Sequence, residues 1–224
     1  MRQTLKERIL PPYTKGEEIM NMVTHIVGGG AGIVALVLGV VLAAMYGDGY
    51  SLAGALVYGI SMILLYTFSS VYHGLRPSLL AKKVMQVIDH CSIFILIAGT
   101  YTPIVLCTIR LYSPALAWVL FGIVWAAATL GICLNSVDLK SYKKFSAACY
   151  LLMGWCIAFA YPALDFLLSR GGAWLLVCGG ISYTVGAGFY YFLKKKPYMH
   201  AVFHLFVLAG SILHMLYILL YVLI

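Results

Sequence analysis

The amino-acid sequence predicts an all-α integral membrane protein with seven transmembrane helices, and composition and patterning both favour this fold class. Hydrophobic residues make up 63% of the 224 residues and charged residues only 10%, whereas a soluble domain carries about 25% charged residues. The mean hydropathy is +0.97. So little charge cannot cover a water-facing surface, and short polar clusters divide the chain into apolar stretches of bilayer length.

Seven apolar runs are each long enough to cross a hydrocarbon core of roughly 30 Å. They lie at about 22–45, 51–74, 85–108, 114–135, 144–164, 173–193 and 198–223. Gly28-x-x-x-Gly32 in the first run has the small-residue spacing of closely packed helices, and Pro103 and Pro162 predict kinks. We therefore divide the chain into an N-terminal segment, 1–21, and a single transmembrane domain, 22–224.

The distribution of positive charge predicts the orientation. Of the 15 Lys and Arg residues, thirteen lie in the N-terminal segment and in the 2–3, 4–5 and 6–7 loops, including Lys82 in the 2–3 loop. The opposite side has only Arg110 and Arg170. The positive-inside rule then places the N-terminus in the cytoplasm and the C-terminus outside. The same clusters, which form no basic groove, argue against a nucleic-acid partner despite the net charge of +8.

The polar residues inside apolar runs are the main chemical clue. All six histidines lie in or at the ends of such runs, and Asp89 is the acid with apolar residues on both sides. A buried aspartate costs about 2.5–3.5 kcal/mol on insertion scales, so it indicates a functional site. The six cysteines form no CxxC pair and are predicted to be packing residues, neither disulfides nor thiolate ligands.

The predicted topology places most of these polar groups at one depth, near the cytoplasmic surface. His73 ends the second run, Asp89 and His90 open the third, and His200 and His204 occupy the first turns of the seventh. Four further residues share this depth: Ser69, Glu18, Asn21 and His25. The remaining histidine, His214, lies about 15 Å deeper than His204.

The spacing of the histidines predicts a metal site. His200 and His204 are four residues apart, so both project from one helix face about 6 Å apart along the axis. Together with His73 they would form a three-histidine set with a fourth position open, which is the pattern of a catalytic zinc. Imidazoles suit Zn²⁺ better than Mg²⁺ or Ca²⁺. Asp89 would then accept a hydrogen bond from a water on the metal or orient a histidine, and Ser69 would bind that water or a substrate carbonyl.

Simpler interpretations stay open for several of these residues. A pair of histidines at helical spacing often hydrogen-bonds across helices without a metal. His90 is better explained by packing or by a helix end, because it points about 100° away from Asp89. Glu18, Asn21 and His25 share one helical face and form either a structural cap on the site or a proton relay. His214 is interpreted as an interhelical hydrogen-bonding residue.

Four motifs follow one another along the chain. They are Glu18-x-x-Asn21-x-x-Thr24-His25, Ser69-x-x-x-His73, Asp89-His90 with Ala98-Gly99-Thr100-Tyr101-Thr102-Pro103, and His200-x-x-x-His204 with Ala209-Gly210-Ser211-x-x-His214. In this order they resemble the hemolysin III branch of the progestin and adipoQ receptor family. The resemblance covers nearly the whole chain.

The resemblance implies a seven-helix protein with its N-terminus inside and a zinc bound by His73, His200 and His204, with Asp89 holding the zinc water. The wider superfamily includes alkaline ceramidases, which cleave lipid amides, and the receptor branch is similarly linked to ceramide hydrolysis. The bacterial branch is associated with haemolytic, pore-forming activity and with membrane-lipid homeostasis. The long extramembrane region of the receptor branch is missing here, which argues against hormone binding.

Three functions are therefore considered. The first is a zinc-dependent hydrolase whose substrate is a membrane lipid amide or ester. The second is a pore or channel. No helix carries a polar stripe along its full length, so the pore would have to be formed by a homo-oligomer. The third is a sensor of lipid state in which zinc is structural. The short chain and its bacterial-type motifs favour a bacterial inner membrane.

Overall fold

The computed structural model describes residues 5, 7–159, 166, 172–193 and 196–224, and these residues form helices without any strand. We name the main helices in chain order: α1 Lys15–Tyr46, α2 Gly49–Gly74, α3 Leu80–Pro103, α4 Pro114–Gly154, α5 Ala173–Leu193 and α6 Met199–Tyr217. Shorter helical segments extend three of them: Ile104–Ile109 and Arg110–Tyr112 after α3, Cys156–Phe159 after α4 and Ile218–Val222 after α6.

Within the described residues, six helices are long and apolar enough to cross a membrane. The prediction of an all-helical, multi-pass membrane protein is therefore confirmed. The predicted fifth run, 144–164, extends past the described residues, and Pro162 lies outside them. Helix α3 ends at Pro103 and a π-helical segment follows, while a kink at this residue stays a prediction.

Helix α1 begins well before the apolar run that predicted it. The Thr14 hydroxyl accepts a hydrogen bond from the Glu17 N–H at 3.2 Å, and the Glu17 carboxylate accepts one from the Thr14 N–H at 2.9 Å. This reciprocal pair is a capping box, which satisfies backbone groups that the first helical turn leaves free. As a result Asn21 and His25 are both helical and lie on the buried face of α1.

Helix α4 contains a reversal of the chain at Asp138, whose backbone is extended at φ −156° and ψ 91°. The Ser146 hydroxyl donates to the Asn135 side-chain oxygen at 2.6 Å although the two are 11 residues apart, a separation of about 16 Å in a straight helix. The Asp138 carboxylate accepts hydrogen bonds from the Lys140 and Ser141 N–H groups. These bonds cap the helix that follows the reversal.

Small residues let α1 approach α2 closely. A Cβ atom added to Gly28 would overlap the Tyr66 ring, and one added to Gly32 would lie 3.1 Å from the Ile63 backbone nitrogen. The prediction that this glycine pair serves helix packing is confirmed. The close contact also brings the start of α1 to the end of α2, where His73 lies.

The bundle has two chemically different ends. Arg110 pairs with Asp48 at 2.9 Å, at the end where α1 leads into α2. The histidines lie at the opposite end, since the 32 residues of α1 extend for about 48 Å. Lys143 also lies at the histidine end, because its ammonium lies over the Tyr190 ring, which in turn contacts His200.

Candidate metal centre

Three histidines from α2 and α6 meet at one end of the bundle. One ligand atom from each of His73, His200 and His204 lies within 4.8 Å of the other two. His73 and His204 are buried and His200 is half-buried. The prediction that these three residues come together, close enough to bind a metal ion, is confirmed.

The His73 ring is held at one nitrogen and free at the other. Its Nδ1 lies 2.6 Å from the Glu18 carboxylate, so the Nδ1 proton is donated to that oxygen. Its Nε2 is buried and has no hydrogen-bond partner among the described residues. Histidine ligands usually donate their second N–H to a carboxylate or carbonyl, which orients the ring and fixes the tautomer. His73 therefore fits a metal ligand.

The two histidines of α6 complete the donor set. His204 Nδ1 lies 3.2 Å from the Asn21 carbonyl oxygen, so this ring is also held from α1 and its Nε2 carries the lone pair. The Nδ1 atom of His200 is buried and has no hydrogen-bond partner in the described part of the chain. Three imidazoles without thiolates suit Zn²⁺ better than the oxygen-seeking Mg²⁺ or Ca²⁺.

Two further predicted residues, Ser69 and Asp89, do not belong to this set. Ser69 is buried one helical turn before His73, and its hydroxyl has no hydrogen-bond partner among the described residues. The Asp89 carboxylate is 14% exposed and lies 3.7 Å from His90 Nδ1. That this carboxylate faces the three histidines stays a prediction.

Comparison with known proteins identifies the family. Residues 13–215 match the Haemolysin-III related family. The chain belongs to this family. It is 41% identical to Hemolysin-3 of Bacillus cereus over 207 residues, which cover 92% of each protein. It is 40% identical to the Hemolysin-3 homolog of Bacillus subtilis (strain 168) over 199 residues, 89% of this chain and 91% of that protein.

A more distant relative is the human Monocyte to macrophage differentiation factor. It is 27% identical over 167 residues, which are 71% of this chain and 66% of that protein. The resemblance to the hemolysin III branch is thus confirmed. The matched range, 13–215, spans the three histidines and the residues predicted to support them.

The other three histidines of this haemolysin-III protein have different environments. The His25 ring stacks on His204 with centroids 3.6 Å apart. His90 Nδ1 donates to the Gln86 carbonyl at 2.8 Å, which agrees with a packing role. His214 Nε2 donates to the Leu176 carbonyl at 3.0 Å, so the predicted interhelical hydrogen bond, here between α6 and α5, is confirmed.

Two residues at the start of α1 also shape the site and were not predicted. The Tyr13 ring stacks on His200 with centroids 5.1 Å apart and lies 5.9 Å from the His73 ring. The Glu17 carboxylate accepts a hydrogen bond from the Tyr198 N–H at 2.8 Å, which ties the entrance of α6 to the start of α1. The spacing Thr14-x-x-Glu17 is a helix-start signature, so the sequence could have predicted that Glu17 lies in the first turn of α1.

Lys82 requires a correction. The sequence placed it in the 2–3 loop, but α3 begins at Leu80 and Lys82 is 1% exposed. Its ammonium lies 2.8 Å from the Glu18 carboxylate. The charge is buried beside His73 because several oxygen acceptors converge there, which the sequence pattern did not indicate.

Proposed function

We propose that this protein is a zinc-containing bacterial membrane protein that acts in membrane-lipid homeostasis by hydrolysing an amide or ester bond of a membrane lipid. One observation carries the proposal. His73 Nε2 is buried without a partner among the described residues while Nδ1 is bonded to Glu18, beside two further histidines within ligand distance. A buried, unsatisfied nitrogen is costly unless it has a ligand.

The residues of the site would have three separate roles in the hydrolysis. His73, His200 and His204 would hold the zinc, which when bound supplies a Lewis acid that acidifies water and polarises a carbonyl. Asp89 takes a proton from the attacking water and returns it to the leaving amine or alcohol as the acyl bond breaks. The unpartnered Ser69 hydroxyl donates a hydrogen bond to the substrate carbonyl oxygen.

The proposal includes a seven-span topology with the N-terminus in the cytoplasm. The reversal at Asp138 supports seven spans, because it divides α4 into two helices. The excess of Lys and Arg at the histidine end supports the orientation. The site then lies in the cytoplasmic leaflet of a bacterial inner membrane, within reach of lipid carbonyl groups.

Elemental analysis of the purified protein is the first test. We expect about one zinc per chain, since the three histidines form one site, and loss of that zinc in His73→Ala, His200→Ala and His204→Ala. His90→Ala, which removes an imidazole outside the histidine set, is the matched control and should keep its zinc. A wild-type protein that binds no zinc would overturn the metal site.

Lipid turnover is the second test. Zinc-loaded protein should release fatty acid from at least one class of a panel of bilayer lipids, and Asp89→Asn should abolish the release while zinc is retained. Zinc-loaded protein that releases no fatty acid from any lipid would contradict the hydrolase and leave the metal site standing.

A pore is the second candidate, because the Bacillus relatives carry the name Hemolysin-3. Such a pore would be formed by a homo-oligomer. Conductance across planar bilayers that persists after zinc chelation would favour the pore over the hydrolase.

A further inference from the structure

Lys82 has an environment that is unusual for a lysine. Its side chain is 1% exposed, and its ammonium group lies 2.8 Å from the Glu18 carboxylate. It also donates to the backbone carbonyls of Tyr72 and Leu75, both at 3.0 Å, and lies 3.4 Å from that of His73. A buried ammonium is tolerated only when it is paired and its protons are accepted, and these four oxygens meet that requirement.

The carbonyl acceptors belong to the last turn of α2 and to Leu75, the residue that follows it. Carbonyls at a helix C-terminus have no partner within the helix, and a cation there is favoured by the helix dipole. Lys82, from the first turn of α3, therefore caps the turn of α2 that carries His73. This contact fixes the backbone from which the His73 ring projects.

Glu18 links Lys82 to the ring itself. Its Oε1 atom bonds the Lys82 ammonium at 2.8 Å and its Oε2 atom bonds His73 Nδ1 at 2.6 Å. The carboxylate is thus held at both oxygens, and one of them is aimed at the imidazole. The Nδ1 proton of His73 is placed by this acceptor, so the lone pair lies on Nε2.

We propose that Lys82 is a positioning residue: by holding both the Glu18 carboxylate and the end of α2, it fixes His73 in the tautomer and orientation that present Nε2 to the metal. The effect on metal affinity rests on the proposed zinc site. The effect on the His73 tautomer does not, because it follows from contacts within the protein.

The first measurement is nitrogen NMR of the metal-free, full-length protein with ¹⁵N-labelled histidine. Wild type should show His73 with the proton on Nδ1 and a bare Nε2. Lys82→Met should shift His73 toward a mixture of tautomers, whereas Lys83→Met, the same change one residue along, should not. Lys82→Gln is the second variant in case methionine prevents folding, and thermal unfolding of the same samples reports on the fold.

The second measurement is zinc affinity by chelator competition. Loss of the residue that orients a ligand typically weakens metal binding about 10–100-fold, and we expect Lys82→Met to fall in this range. Because Lys82 holds the end of α2 as well as Glu18, the double variant Glu18→Gln/Lys82→Met should lose more affinity than Glu18→Gln alone but less than the sum of the two single losses. Additive losses would show that Lys82 acts independently of Glu18 and would overturn the proposal.

The outcomes separate this inference from the proposed function. A Lys82→Met protein that is less stable but keeps both the His73 tautomer and the zinc affinity overturns the positioning role. A wild-type protein that binds no zinc, but whose His73 tautomer depends on Lys82, supports the positioning role and overturns the metal site.

Discussion

Single side chains at the start of α1 hold and cover the histidines. Glu18 bonds His73 Nδ1, and the backbone carbonyl of Asn21 accepts from His204 Nδ1. Tyr13 stacks on His200, the half-buried member of the set. Because the first two contacts fix rings and the third covers His200, the affinity and the accessibility of a metal at this site would be set by different residues.

Replacing Tyr13 should therefore change the rate of metal exchange more than the metal affinity. We expect Tyr13→Ala to speed zinc loss to a chelator by about tenfold, which corresponds to roughly 1.4 kcal/mol at the barrier. Tyr13→Phe keeps the stacked ring and should exchange at nearly the wild-type rate. Equal rates in wild type and Tyr13→Ala would show that the ring does not cover the site.

At the level of helices, the reversal in α4 decides how the second half of the chain is arranged. The turn needs one residue with extended backbone, Asp138, and the hydrogen bonds from Ser141 and Lys140 to its side chain start the next helix. The hydrogen bond from Ser146 to Asn135 then joins the part of α4 after the turn to the part before it. A polar turn of this kind reverses the chain without leaving the N–H groups of the new helix unsatisfied.

Removing the Asp138 side chain tests this turn. Asp138→Ala should lower the thermal unfolding temperature in detergent, because the helix after the turn loses its cap. Asp138→Asn keeps a side-chain oxygen acceptor and should lose less. If both variants unfold at the wild-type temperature, the carboxylate does not stabilise the reversal.

At the level of the whole molecule, the two ends of the bundle differ in charge and in chemistry. The histidines, Lys82 and Lys143 lie at one end, and the Arg110–Asp48 pair lies at the other. Two ends of such different charge are expected to have a fixed orientation in a membrane.

Labelling of introduced cysteines tests the orientation. In a background without the native cysteines, Lys196→Cys should resist a membrane-impermeant maleimide in intact cells and react after the cells are opened. Tyr112→Cys, at the opposite end, should react in intact cells. The reverse pattern would place the histidine end outside and contradict the proposed topology.

The sequence alone determined the membrane class and the histidine set. Lipid requires continuous apolar runs in which each helix satisfies its own backbone hydrogen bonds, so the apolar runs are visible in composition. The spacing of His200 and His204 put both on one face, and the charge asymmetry put His73 at the same depth. Each of these features depends on neighbouring residues or on a sum of charges along the chain, so it can be recognised without coordinates.

Only the tertiary structure revealed the bridge from Lys82 through Glu18 to His73, the stacking of Tyr13 on His200 and the single-residue reversal at Asp138. A lysine next to a loop looks like a topology signal in the sequence, and a tyrosine before a helix looks like an interface residue. Whether either side chain turns inward depends on partners supplied by other helices, oxygen acceptors for Lys82 and the His200 ring for Tyr13. Those partners come together only when the helices pack, so no local pattern could show them.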